Sequence, residues 1–259
     1  ALLTAVLTYI ITHRMFIKSK EIELENQKIE TINKTNRVIN SCLTSLISIK
    51  DNYRSRLTDK LCERILQVPI IKAARFELID TSFLDRLFFI HPTREEQGVS
   101  KWSQVTQIEG LLHNYNSLME IWRERNQMLV PLIQAIGEKN YQGKGCLADF
   151  NKLTTPAYVQ GIIQLTETAI YLTDEISNEL HDLLCKFPQV YESKLNKKYP
   201  KNTRLQIFEF DKEDLERRKE YIQKSIDADY SVLKNFCSSD EYEQVIASFK
   251  PIVSMPDIH

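Results

Sequence analysis

Acidic residues and histidines on two amphipathic stretches are the side chains best suited to bind a metal ion. These residues are Glu109, Glu120, Asp174, Glu175, Glu179, His113 and His181. A di-iron helical bundle needs Glu-x-x-His on paired helices, but the residue three places before His181 is Asn178. Glu109 and His113 are four residues apart, a helical spacing that gives a surface contact more often than a pair of ligands. We therefore predict no metal site and no cofactor.

A thiol beside a lysine is the second candidate for chemistry. Cys146 follows Gly143-Lys144-Gly145, and a neighbouring cation lowers the pKa of a thiol. No histidine or asparagine is tied to Cys146 by a pattern, and the glycine spacing is not that of a phosphate-binding loop. Sequence motifs of hydrolases, zinc proteases and nucleotide-binding folds do not occur. We predict that the protein is not an enzyme, with an enzyme whose site carries no motif as an alternative.

The densest group of basic residues follows the longest apolar stretch of the C-terminal half. The basic cluster consists of Lys194, Lys197, Lys198, Lys201 and Arg204. Such a cluster binds anionic lipid headgroups or a phosphorylated ligand, although runs of charge near helix ends are more often solvated loops. The net charge of -1 gives no general attraction to nucleic acid, which we expect not to be a partner.

The N-terminal stretch is the element around which the remaining chain is organised. Residues 1–12 contain no charged side chain, and the chain opens on Ala rather than Met. We interpret residues 1–17 as the C-terminal part of a transmembrane helix, since a complete crossing needs about 20 apolar residues. The alternative is an apolar helix packed in the core of the protein.

Basic residues directly after the apolar stretch set the expected orientation. Arg14, Lys18 and Lys20 lie where positive charge is retained on the cytoplasmic side of a membrane helix. The five cysteines are scattered and form no C-x-x-C pair, so neither a disulfide framework nor a zinc site is indicated. The sequence thus predicts a single-pass membrane protein, in contact with membrane lipid, with most of the chain in the cytoplasm.

Apolar residues repeat every seven positions in residues 18–57, which we interpret as a juxtamembrane stalk and first bundle helix. The stretch contains no glycine or proline, and its predicted oligomer seam consists of Ile22, Ile29, Ile32, Asn36, Ile39 and Leu43. A repeat of this kind is typical of a left-handed coiled coil, in which a buried Asn36 fixes the register. The same stripe also fits packing against later helices of the same chain, and the sequence favours neither reading.

Residues 58–259 are predicted to form a helical bundle, so the fold class is all-α. Six glycines in 259 residues disfavour folds that need many tight turns. The strongest helix starts are Ser100 or Ser103, Thr155-Pro156 and Asp211, and Leu205 to Phe210 is the single strand candidate. The helix that opens at Thr155-Pro156 is expected to end before Pro188. Trp102, Tyr115 and Trp122 share one helix face and are expected to be core residues.

Two functions from different classes follow from these expectations. The first is a membrane-anchored interaction or scaffold protein that self-associates, or binds another protein, through its first helix. The second is a ligand-gated membrane effector, in which the basic cluster binds a small anionic signal that is transmitted along the first helix.

Overall fold

Helices form the regular structure of the chain in the computed structural model, which describes residues 2–72, 77–90, 100–138, 150, 154–192, 195, 212–235 and 239–249. No strand occurs within these ranges, and the predicted all-α class is confirmed. The strand candidate at residues 205–210 lies outside the described residues, as do Cys146 and its flanking glycines.

The first helix, α1, runs from Leu2 to Asp51 without interruption. This length agrees with the absence of glycine and proline from residues 2–51. The helix ends in a series of turns in which the amides of Arg54 and Leu57 donate to the carbonyls of Lys50 and Tyr53. A second short helix, α2, spans Leu61–Gln67.

After α2 the chain forms two 3-10 segments, Ser82–Ile90 and Lys101–Ser103, and then two long helices. Helix α3 spans Val105–Glu138, and helix α4 spans Pro156–Glu192. The predicted start of α4 is confirmed, since Thr155 Oγ1 accepts a hydrogen bond from the Tyr158 amide at 3.4 Å and Pro156 is the first helical residue. The expectation that this helix stops at Pro188 is wrong, because α4 continues past that proline. Helix α5 (Lys212–Ile222), a 3-10 segment at Tyr230–Asn235 and helix α6 (Ser239–Phe249) complete the described elements.

The chain divides into two compact units that do not follow chain order. Unit 1 comprises Ala1–Asn40, Asp80–Glu109 and Leu183–Asp211, and unit 2 comprises Ser41–Ile79, Gly110–Asp182 and Lys212–His259. Helices α1, α3 and α4 therefore each contribute residues to both units. The sequence-based boundaries after residues 17 and 57 stay predictions.

Each unit has its own buried apolar side chains. In unit 1 they include Ile29, Ile32, Ile39, Phe83, Leu84, Leu87, Trp102, Val105, Ile108, Leu183, Leu184, Phe187 and Tyr191. In unit 2 a cluster joins α2, α3, α4 and α6 through Leu61, Cys62, Ile65, Leu129, Leu132, Phe150, Val159, Ile162, Ile163, Ala228, Leu233 and Phe249. Trp102, Tyr115 and Trp122 are fully buried, as expected for core residues. They do not share one helix as predicted, because Trp102 lies in the 3-10 segment that precedes α3.

The predicted single-pass membrane topology is wrong. Among the helices that the structure describes, none is both long enough and apolar enough to cross a lipid bilayer. In α1 the uncharged stretch ends at Thr12, and His13, Arg14 and Lys18 follow within two turns. These basic side chains interrupt the apolar length that a crossing requires.

Candidate functional site

The N-terminal part of α1 is exposed on every side. All residues from Leu3 to Glu21 are exposed, although many of them are large and apolar. The exposed apolar side chains of α1 are Leu3, Val6, Leu7, Tyr9, Ile10, Ile11, Met15, Phe16, Ile17 and Leu24. We call residues 3–24 the exposed segment. A run of apolar side chains of this extent on a protein surface is typical of an interaction site.

The exposed segment has two unlike faces. At about 100° per residue, Leu3, Ile10 and Ile17 lie on one side of the helix, whereas Thr4, Thr8 and Thr12 lie on the other together with Met15. The Thr8 hydroxyl donates to the carbonyl of Thr4 at 2.9 Å, so this hydroxyl is satisfied within its own helix. We call the first side the apolar face and the second the threonine face.

Charged and aromatic side chains in the exposed segment make contacts within the helix. The Tyr9 and His13 rings stack at 5.9 Å between centroids, and the Lys20 ammonium lies 5.9 Å from the centre of the Phe16 ring. Lys20 also pairs with Glu23 at 3.2 Å. Arg14, Lys18 and Lys20, which were predicted to lie beside a membrane, are exposed.

The predicted oligomer seam lies mostly inside the protein. Ile29, Ile32, Asn36, Ile39 and Leu43 are at most 1% exposed within a single chain, and only Ile22 is partly exposed. This burial matches the alternative in which the stripe packs against the same chain. Because these side chains are already covered, a second chain cannot pack on this part of the stripe. Self-association itself stays a prediction.

A network of buried charges in unit 2 was not predicted. The Arg64 Nε donates to Glu167 Oε1 at 2.7 Å, and the Lys50 ammonium donates to Asp174 Oδ1 at 2.6 Å. The side chains of both pairs are at most 5% exposed. Each charge in these two pairs thus has a partner of opposite sign, and their attraction offsets part of the free-energy cost of removing the charges from water.

The network holds the segment 223–230 by its main chain. The Ser225 amide donates to Asp174 Oδ2 at 2.6 Å, and Arg64 donates to the Ile226 carbonyl at 2.7 Å. Lys50 donates to the Gln223 carbonyl. The Tyr230 hydroxyl contacts Glu167 Oε2 at 3.4 Å, and burial together with the Glu167 charge raises the pKa of Tyr230. These contacts explain why a segment without helical hydrogen bonds is fixed in place.

Arg125 is a third buried cation, and it binds the C-terminal end of α2. Its guanidinium donates to the carbonyls of Ile65, Val68 and Pro69 at 2.8, 2.5 and 2.9 Å. Burial lowers the pKa of Arg125 to about 10. The carbonyls at the end of a helix lack partners within the helix, so Arg125 supplies the missing donors and its charge is favourable beside the negative end of the helix dipole.

Glu167 and Asp174 line a small cleft in unit 2, and each is paired with a buried cation. A search of the described residues finds no group of three or more metal-ligating side chains. The Ser225 hydroxyl also donates to Asp174 Oδ1 at 3.1 Å, so Asp174 binds the side chain of segment 223–230 as well as its main chain.

The other predicted binding site cannot be compared with the structure. Lys194, Lys197, Lys198, Lys201 and Arg204 all lie outside the described residues. Models of protein families, curated proteins and solved structures were all searched, and none of them matches this chain. The expected partners, a second copy, another protein or lipid, thus stay predictions.

Proposed function

We propose that this chain is a helical interaction protein that self-associates through the apolar face of the exposed segment. The observation that carries the proposal is the continuous exposure of residues 3–21 despite their apolar side chains. A helical bundle formed by the later residues, and its use as a scaffold, are part of the same proposal.

The size of the apolar face suits weak, reversible association. Its six largest apolar side chains are Leu3, Val6, Leu7, Ile10, Ile17 and Leu24, which are 44–83% exposed. Burying the exposed part of each contributes on the order of 1 kcal/mol. Bringing two molecules together costs at least about 4 kcal/mol. We therefore expect a dissociation constant of about a micromolar or weaker.

The arrangement of charges agrees with this strength. Arg14 and Glu21 lie on the same side of the helix as Leu3 and Ile10, and Lys20 lies at the edge of that side, so the apolar face is interrupted by charge. Charged residues at the edge of an interface favour solubility of the free protein and a wet rim in the complex. The isolated protein is accordingly expected to stay monomeric when dilute.

Sedimentation equilibrium of three chains tests the proposal. The unaltered chain is expected to show a monomer–dimer equilibrium, and Ile10→Asp is expected to weaken it at least tenfold by placing a charge in the apolar face. Thr8→Asp is the matched control on the threonine face, two residues away. Because both positions are exposed, neither substitution disturbs the core, and circular dichroism should show equal helix content.

The proposal fails if the unaltered chain remains monomeric at hundreds of micromolar. Equal weakening by Ile10→Asp and Thr8→Asp would show that the apolar face is not the contact surface. The ligand-binding alternative depends on the basic cluster, and no described contact favours it.

A further inference from the structure

Two amides of segment 223–230 donate hydrogen bonds to other parts of unit 2. The Ser225 amide donates to Asp174 Oδ2 at 2.6 Å. The Asp229 amide donates to the carbonyl of Asp59, also at 2.6 Å, and residues 60 and 229 form an isolated parallel bridge. Main-chain contacts of this kind are the ones through which proteins bind an extended peptide.

Two carbonyls of the same segment accept hydrogen bonds from buried cations. The Lys50 ammonium donates to the Gln223 carbonyl. The Arg64 Nη1 atom donates to the Ile226 carbonyl at 2.7 Å. These four contacts fix the main chain of residues 223–229, and none of them depends on which side chains the segment carries.

Most side chains of the segment do not contribute to its position. The exposed ones are Gln223, Lys224, Ile226, Asp227 and Asp229. Within residues 223–229 the exceptions are Ser225, whose hydroxyl donates to Asp174 Oδ1 at 3.1 Å, and Ala228, which is 8% exposed and belongs to the buried cluster of unit 2. The fold therefore selects a hydroxyl at one position and a small side chain three residues later.

The groups that bind the segment form a groove whose charges are paired with one another. We call it the main-chain groove, and it consists of Lys50, Arg64, Glu167, Asp174 and the carbonyl of Asp59. Lys50 pairs with Asp174 and Arg64 pairs with Glu167, so neither pair needs the segment for its charge balance. Departure of the segment leaves no unpaired buried charge, which would be the costly outcome. The groups that lose a partner can bind water instead.

Packing between the segment and helix α4 is incomplete. A cleft of about 20 Å³ is lined by Ile170 and Tyr171 of α4 and by Lys224 and Asp227 of the segment. This volume is sufficient for one water molecule. A segment with exposed side chains and few apolar contacts opens at a lower free energy than the packed core.

We propose that segment 223–230 is a releasable strap over the main-chain groove, and that the groove binds an extended segment of a partner protein in its place. The partner's segment has the pattern Ser-x-x-Ala, in which the hydroxyl reaches Asp174 and the small side chain takes the site of Ala228. The two positions between them are unrestricted, because Ile226 and Asp227 are exposed. A second copy is a poor source of this segment, since its own groove holds it at a high effective concentration.

Fluorescence anisotropy of a labelled peptide with the sequence of residues 221–231 tests the proposal on the full chain. Ser225→Pro in the protein removes one amide donor and so weakens the bound strap, while the groove keeps all its groups. We expect the peptide to bind this variant about tenfold more tightly than the unaltered chain, or better. A peptide that is N-methylated at Ser225 lacks the same donor and should bind about tenfold more weakly than the native peptide.

Two further peptides separate main-chain binding from side-chain binding. Alanine at positions 224, 226 and 227 together should change the affinity by less than about threefold, because these side chains are exposed and the Lys224–Asp227 pair lies at the surface. Ala228→Leu in the peptide should abolish binding, because the site of Ala228 is buried. Absence of peptide binding to a folded Ser225→Pro chain would overturn the proposal, as would equal affinities of the native and N-methylated peptides.

Hydrogen exchange of the unaltered chain is a second test that needs no variant to fold. The amides of Ser225 and Asp229 should exchange by local opening, at a rate that low concentrations of urea do not change. Exchange of both amides only through global unfolding would show that the strap is not released. Failure of either test leaves self-association untouched, since the strap and its groove belong to unit 2 and not to the exposed segment.

Discussion

Arg64 and Glu167 form an ion pair whose Nε and Oε1 atoms are 2.7 Å apart, with both side chains at most 3% exposed. Arg64 also donates to the carbonyls of Thr58 and Ile226 at 2.9 and 2.7 Å. One guanidinium therefore joins three parts of unit 2: the turn before α2, helix α4 and segment 223–230. Its role is to fix structure, since its Nε and Nη1 donors are directed at partners within the chain.

Removing one member of this pair should destabilise the protein strongly. Arg64→Met leaves Glu167 buried without its cation, and the loss of one partner of a buried ion pair costs about 3–5 kcal/mol. Urea unfolding measures the change. The double variant Arg64→Met with Glu167→Met should regain part of the loss, because it leaves no uncompensated charge.

Lys60→Met is the matched control for an ion pair at the surface. Lys60 pairs with Glu63 at 2.9 Å, but the lysine side chain is 69% exposed. We expect no measurable change in stability from this substitution. An equal loss of unfolding free energy in Lys60→Met and Arg64→Met would contradict the claim that burial makes the Arg64–Glu167 pair more important than the surface pair.

Arg125→Lys should be far from conservative. The guanidinium reaches the carbonyls of Ile65, Val68 and Pro69 with donors spread over a planar fork, which a single ammonium nitrogen cannot reproduce. Buried carbonyls without a donor cost about 1–3 kcal/mol, so we expect a loss in this range. Arg123→Lys, at the surface of the same helix, is the control. Indistinguishable midpoints in urea for the two variants would show that Arg125 does not hold the end of α2.

Gly110→Ala should stabilise the protein. Gly110 lies inside α3, and a Cβ added there meets no atom within 4 Å. Alanine restricts the unfolded chain and suits a helix interior, which together give about 0.5–1 kcal/mol. At Gly161 the added Cβ would lie 3.3 Å from Cε of Met128, so the gain from Gly161→Ala should be smaller. Thermal unfolding of both variants compares the two gains in stability, and a larger gain for Gly161→Ala than for Gly110→Ala would contradict this prediction.

Stability should fall at alkaline pH because buried tyrosines and a buried thiol resist ionisation. Burial raises the pKa of Tyr115 to about 12 and that of Cys42 to about 12. Between the ordinary pKa of each group and its raised value, the unfolded chain loses a proton that the folded chain keeps. The stabilisation from these groups is complete below about pH 9 and is lost as the pH rises toward 12.

Each such group should contribute a slope of about 1.4 kcal/mol per pH unit in that range. Tyr115→Phe removes one ionisable group and keeps the ring, so the free energy of unfolding should depend less steeply on pH above 10. Urea unfolding at a series of pH values measures the slope. An unchanged slope in Tyr115→Phe would mean that this phenol ionises as easily in the folded protein as in the unfolded chain.

The sequence was sufficient to predict the helices. The absence of breakers before Asp51 predicted a long first helix, and Thr155-Pro156 predicted the start of α4 correctly. Pro188 was misread as the end of α4, because a proline inside a long helix is tolerated where packing on both sides holds the helix together. Local sequence patterns indicate whether a segment tends to form a helix, but they do not show which other parts of the chain pack against that helix.

The partners of buried residues were harder to predict. The seven-residue repeat of Ile29, Ile32 and Ile39 is the same for a seam between chains and for a face covered by the same chain, and only the fold decides between them. Glu167 and Asp174 are also seven residues apart on an otherwise apolar stripe, which was the one signal for buried charges. Their cations, Arg64 and Lys50, lie more than a hundred residues away, and no local pattern connects them.

Hydrogen exchange of the amides of residues 3–24 at increasing protein concentration tests self-association most directly. A helix that has no neighbours exchanges rapidly, since short helices without tertiary packing are marginally stable in water. We predict that protection of these amides rises with concentration in the unaltered chain and in Thr8→Asp, and does not rise in Ile10→Asp. Protection that stays the same at every concentration in the unaltered chain would contradict self-association through the exposed segment.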